Sequence, residues 1–156
     1  AIMILFYLRE LDLLNGGKEG KVEMTLENSD DYEKQIDNFL NEYNDFFNSD
    51  VKRAIFLEGV LAQKLLNIQF KERNATPFKG RLNGLKLDER IAKRLFPEIQ
   101  NKLEEYDSNY YKKIENAISK YMLTADFKQI SNTELSFYFT TGMNLADEFK
   151  FNNKEK

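Results

Sequence analysis

Between residues 51 and 70 the chain reads VKRAIFLEGVLAQKLLNIQF, a helix-length segment that is apolar on most of its sides. Ile55, Phe56, Leu57, Val60, Leu61, Leu65, Leu66 and Ile68 leave no broad polar face. A helix that is hydrophobic all round has to be wrapped by other elements, so this segment predicts a central, buried rod. Ser49 or Asp50 stands where its N-cap belongs. Gly59 inside it costs about 1 kcal/mol against Ala unless a neighbouring helix needs the close approach.

The flanking sequence supplies helices to do the wrapping. Asp30 and Glu33 have capping-box spacing, and Tyr32, Ile36, Phe39, Leu40, Tyr43, Phe46 and Phe47 follow as one apolar stripe. Asp88 can cap a further helix in which Leu87, Ile91, Leu95, Ile99 and Leu103 share a side. Pro97 is expected to kink that helix or begin a new one. Ser108 is placed to cap a helix with Tyr111, Ile114, Ile118, Tyr121 and Met122 inward. Ser131 and Glu134 form a second capping box, before Leu135, Tyr138, Phe139, Met143, Ala146 and Phe149.

The pattern before residue 29 is different. Val22, Met24 and Leu26 alternate with Glu23, Thr25 and Glu27, the period of a half-buried strand. Ile2 to Leu8 is the expected partner in a small β-hairpin, although Ile4, Leu8 and Leu11 also fit a helix. The expected fold is mainly α: a compact bundle of about five helices over 29–151, an N-terminal extension or β-hairpin over 1–28, and a frayed tail at 152–156. Residues 72–86 (ERNATPFKGRLNGLK) read as a basic loop.

Composition narrows the chemistry. The 156 residues include no His, no Cys and no Trp, which excludes Cys/His metal sites, thiol nucleophiles and imidazole dyads or triads. An apolar share of 42% is too high for disorder. The apolar opening, Ala1 to Leu8, is too short to span a bilayer and has no basic leader. A soluble, cytoplasmic protein is expected, and its start on Ala suggests processing, trimming or a start inside a longer frame.

The formal charge of −3 is an average over unlike blocks. Residues 1–51 carry 4 basic and 12 acidic side chains, residues 52–102 carry 12 and 5, and residues 103–156 carry 7 and 9. Because charges more than about 8 Å apart hardly interact in physiological salt, a ligand feels the local block and not the total. The same asymmetry would also arise from a solvated face balanced by acidic neighbours in the fold.

Two tempting motifs fail. Gly16-Gly17-Lys18-Glu19-Gly20-Lys21 has three residues between Gly16 and Gly20 where a phosphate-binding loop needs four, and Val22 replaces its Ser/Thr. Asp12, Glu19 and Lys21 imitate a nuclease carboxylate–lysine set, but such a triplet is common by chance in a chain that is 31% charged. Neither a metal site nor a cofactor is expected. Asp30, Asp31, Glu33 and Asp37 suit the positive end of a helix dipole. Phe70, Phe78, Tyr106 and Tyr110 lie in or near loops, where a base could stack on them, although core packing is the commoner fate of such rings.

The strongest signal is basic. Lys52 and Arg53 stand near a helix start, Lys64 and Lys71 lie further along, and Arg73, Lys79, Arg81 and Lys86 occupy the loop. Arg90, Lys93 and Arg94 continue on one helical face, within roughly a 100° arc that also holds Lys86 and opposes the Leu87–Leu103 stripe. Lys/Arg loops beside a basic helical stripe suit the regularly charged phosphate backbone, whose counterions are released on binding. No base-reading module accompanies them, so recognition independent of sequence is expected.

FLEGVLAQKLLNIQF (56–70), the basic loop and RLNGLKLDERIAKRLFPEI, together with TELSFYFTTGMNLADEF (133–149), resemble the C-terminal region of the type I-B CRISPR Cascade large subunit. That resemblance covers roughly residues 50–150 and rests on a pattern of helices more than on an active site. In the family this bundle is also made separately, from an internal start, as the Cascade small subunit. The resemblance implies a non-catalytic part in crRNA-guided interference. The implied partners are the backbone and large subunits, further copies of the chain, the crRNA–target DNA duplex and the displaced strand, whose R-loop it would stabilise. Neither a membrane nor a small-molecule substrate belongs to this picture. A reading from another class is a structural adapter, whose acidic N-terminal helix and aromatic faces dock neighbouring subunits. A third, a metal-dependent nuclease, requires Mg²⁺-dependent cleavage by the chain alone.

Overall fold

The apolar segment is the longest helix and the centre of the packing. The structure, a computed structural model, describes residues 24–25, 32–71, 77–82, 84–106 and 111–150. Its helices are α1 (Tyr32–Glu42), α2 (Asp50–Lys71), α3 (Pro77–Leu82), α4 (Glu89–Glu105), α5 (Lys112–Leu123) and α6 (Asn132–Leu145). Short 3₁₀ turns at Phe127–Gln129 and Ala146–Glu148 flank α6. The mainly α expectation holds.

In α2, an unbroken run from Ala54 to Ala62 is buried, as its lack of a polar face required. The Lys52 amide donates to Ser49 Oγ at 3.4 Å, so Ser49 takes the capping role. α6 runs beside α2 in the same direction, with Lys52 over Tyr138 near one end and Lys64 on Phe149 near the other. The two helices meet through glycine. A Cβ on Gly59 would strike the Phe139 carbonyl oxygen and lie 2.9 Å from its carbon. A Cβ on Gly142 would strike the Phe56 carbonyl oxygen and lie 2.9 Å from the Val60 nitrogen. The close approach offsets the propensity cost of Gly59.

α5 packs antiparallel to α2: Tyr121 reaches Arg53 and Thr124 reaches Asp50, both at the start of α2. α1 and the turn after it close the core with rings. Phe47 lies 4.6 Å from Phe56 and Phe39 lies 5.0 Å from Phe149 between centroids, within the range of favourable aromatic contacts.

Both remaining cap expectations within the described residues hold at the start of α4 and α6. Asp88 accepts from the Ile91 amide at 2.8 Å. Ser131 and Glu134 form the full capping box. The α4 stripe is buried at Leu95, Ile99 and Leu103 and half-buried at Ile91.

Four expectations change. Residues 77–82, read as loop, form α3; Pro77 opens it, where a missing N–H costs nothing, and buries Phe78. Pro97, expected to kink its helix or begin a new one, begins no new helix: α4 runs through it. The cap of α5 is Tyr111, without a side-chain hydrogen bond, while Ser108 lies outside the described residues. The N-terminal hairpin is not supported: Met24–Thr25 pair in parallel with Phe149–Lys150. Ile2–Leu8, the Asp30 cap and the tail from 152 lie outside the described residues.

One buried carboxyl has no counterpart among the described residues. Glu58 on α2 is fully buried and neither of its oxygens has a hydrogen-bond or ion-pair partner among them. Desolvation pushes its pKa well above the usual carboxylate range.

Candidate nucleic-acid interface

The basic residues divide by what the fold does with them. Arg53 is consumed internally: Nε donates to the Phe47 carbonyl at 2.9 Å, one terminal nitrogen to Asn44 at 3.1 Å, and the other to the Tyr121 hydroxyl at 3.4 Å. Tyr121 in turn donates to Asp37, which Lys120 also holds at 2.8 Å. Desolvation raises the Asp37 pKa, but the bonds from Lys120 and Tyr121 and the charges of Lys120 and Arg53 outweigh it and keep the carboxyl below its ordinary value. The Arg53 guanidinium therefore ties the turn after α1 to α5.

Lys64 leaves the surface set altogether. It is 2% exposed, and its ammonium donates to the Phe149 carbonyl. A buried lysine bonded to a backbone carbonyl cannot also reach a phosphate, so Lys64, expected as a phosphate ligand, instead belongs to the core. Lys52 is half-buried, with Nζ 2.9 Å from Asn48 Oδ1 and 5.6 Å from the Tyr138 ring. Lys71 is exposed on the last turn of α2, beside Phe70 at 82% exposure. Arg73 lies outside the described residues.

The rest gather on α3, the turn after it and the first half of α4. Lys79, Arg81, Lys86, Arg90, Lys93 and Arg94 are all exposed. Gly84, at φ +72°, makes the turn; a side chain there would cost about 1–2 kcal/mol. Leu87 then anchors the start of α4 to the start of α6, its amide donating to Ser136 Oγ at 3.1 Å. Two of the six cations are paired: Arg81 with Glu98, and Lys93 with Glu89 at 2.9 Å. Lys93 also lies over Phe127 at 5.1 Å. Lys79, Lys86, Arg90 and Arg94 have no ion-pair partner among the described residues. Residues 77–94 hold six basic and two acidic side chains.

Between α3 and α4 lies a cleft of about 520 Å³. Leu82, Leu85, Ile91 and Leu95 form its apolar walls over Phe78, with Arg81, Arg94 and Glu98 as its polar members. Phe78 is therefore core, not an exposed stacking platform: it is 1% exposed, with Arg81 and Lys102 over its ring at 5.7 and 5.8 Å. Sequence reasoning missed Lys102, which meets Phe78 only in the fold, and the cleft, for which the run PFKGRL, with Pro leading into a Phe–Leu pair four apart, was the one signal.

Among the described residues no group of three or more carboxylates could hold a metal, and no helix is long and apolar enough to cross a membrane. A scan against known protein families matches residues 1–156 to the C-terminal domain of the CRISPR-associated protein TM1802. The chain belongs to this CRISPR-associated family. The match bears out the CRISPR part of the resemblance and extends it from residues 50–150 to the whole of 1–156. A role in a CRISPR system follows from membership of the TM1802 family. Neither a curated protein nor a solved structure matches the chain.

Proposed function

We propose that this TM1802-family domain is a non-catalytic subunit of a crRNA-guided, type I-B interference complex in the cytoplasm. It binds nucleic-acid backbone without sequence specificity and stabilises the R-loop. The observation that carries this reading is the exposed basic face of α3 and α4, four of whose cations meet no acid among the described residues. Lys79, Arg81, Lys86, Arg90, Lys93 and Arg94 are its centre, and Lys71, Arg73 and Lys52 are further candidate contacts, while Arg53 is held within the fold. The crRNA–target duplex and displaced strand are its nucleic-acid partners; backbone and large subunits and further copies of the chain are its protein partners.

Salt titration tests this. Fluorescence anisotropy of the chain with DNA of arbitrary sequence should show affinity falling about 10³-fold between 50 and 200 mM salt, as six neutralised phosphates require. Two unrelated DNA sequences should bind alike. A loss below about threefold would defeat the reading and leave the structural adapter, whose basic face meets acidic protein. Mg²⁺-dependent cleavage by the isolated chain would defeat the non-catalytic assignment.

A further inference from the structure

The cations of α3 and α4 account for phosphates, but they do not account for the apolar cleft they surround. A purely electrostatic backbone binder needs no hollow, and a hollow of about 520 Å³ is far larger than the gaps normal packing leaves. We propose that this cleft takes an unstacked base of a single-stranded nucleic acid whose phosphates lie on the cations at its rim. The inference rests on the backbone-binding reading and adds a second kind of contact to it.

Three features favour a base as the occupant. Leu82, Leu85 and Ile91 are half-buried, so their apolar surface is incompletely covered and open to a flat, weakly hydrated ring. Arg94 lines the same cleft and has no ion-pair partner among the described residues, which places its guanidinium where the phosphate of an entering nucleotide would sit. Glu98 is the third. A carboxylate repels phosphate but accepts hydrogen bonds from the amino and imino groups on base edges; Arg81, bonded to Glu98, holds it there. A duplex cannot use this combination, because its bases are stacked and paired inside and present only phosphates and groove edges to a convex face.

Abasic DNA separates the two contributions, since it keeps every phosphate and lacks the bases. Three ligands of equal length are compared by anisotropy on the full chain: an ordinary single strand, the same strand made wholly abasic, and a duplex. The ordinary strand should bind about tenfold more tightly than the abasic one, at the low end of what one base contact contributes. Leu85→Gln makes the cleft wall polar without changing charge. It should bring ordinary and abasic strands together while duplex affinity and its salt dependence stay as they were, with thermal melting confirming that the variant is folded. Equal binding of ordinary and abasic strands, salt-dependent in both, would overturn the base cleft and leave the backbone reading intact; that is also the outcome if the cleft holds an acidic peptide of a partner protein. Salt-independent binding of all three would overturn both.

Discussion

At the α2–α6 crossing the two backbones meet through Gly59 and Gly142, and neither glycine leaves room for a methyl group. Along α3 and α4, six cations are exposed and four find no acid among the described residues. Close packing and spare charge make opposite demands on mutation. At the crossing a side chain would meet backbone, so volume decides; on the basic face the unpaired cations make no ion pair among the described residues, so removing them should leave stability alone and change only what binds. Arg53 and Arg94 show the contrast in one side-chain type. The first makes three hydrogen bonds within the fold, whereas the second lines an open cleft.

This contrast can be broken at several points. The largest effect on stability is expected for Gly142→Leu, which drives a side chain into the Phe56 carbonyl and the Val60 amide. Overpacking against rigid backbone should cost about 3 kcal/mol or more, read as a lower urea midpoint. A variant as stable as the parent would show that α2 and α6 can part, and that the crossing is not the rigid half of the comparison.

Arg53→Ala should cost about 1–3 kcal/mol, because it removes charge-assisted bonds and strips partners from the Phe47 carbonyl and Tyr121. Arg94→Ala should stay within about 0.5 kcal/mol, as exposed side chains away from the core do. Equal costs for the two would erase the distinction between strut and spare charge.

Glu58 sharpens the packed side. Its folded pKa is raised, so between the unfolded value near 4.5 and the folded value the native state holds a proton that the unfolded state has lost. Stability should therefore fall as pH rises above about 4.5, by at most about 1.4 kcal/mol per pH unit. Glu58→Leu should stabilise the protein at neutral pH by about 1–3 kcal/mol and flatten that decline. Asp37 acts in the other direction: its depressed pKa contributes stability that is present above the unfolded value near 3.8 and lost on further acidification. Asp37→Asn should therefore lower stability at neutral pH and flatten the loss of stability on acidification, read as urea midpoints across pH. Smaller still, Ser131→Ala should cost about 1 kcal/mol through loss of the capping box at α6.

Periodicity and caps in the sequence already indicated the packed side. The all-apolar face of α2 demanded burial, Gly59 carried a cost that only a close neighbour could offset, and Asp88, Ser131 and Glu134 marked real helix starts. The role of Gly142 was hidden, because nothing local says which helix crosses α2. Lys64 misled for a related reason: its partner, the Phe149 carbonyl, lies 85 residues away in the chain. α3 was hidden because six residues that include Pro, Gly and two cations, with only Phe78 and Leu82 as an apolar pair, carry too little periodicity to separate helix from loop. On the basic side part of the pattern was legible, since Arg90, Lys93 and Arg94 are exposed on α4 as the helical projection required, whereas Lys86 precedes the helix and is exposed in the turn before it. The cleft was not, because it exists only where α3 lies against α4.

The central claim is that this face neutralises phosphate, and the most direct test is the salt slope of a variant that lacks part of it. Arg90→Ala, Lys93→Ala and Arg94→Ala together should melt like the parent and bind DNA with a slope of log affinity against log salt that is shallower by about 2–3, one phosphate contact per cation. An unchanged slope in a fully folded triple variant would contradict the assignment of α3 and α4 as the nucleic-acid face.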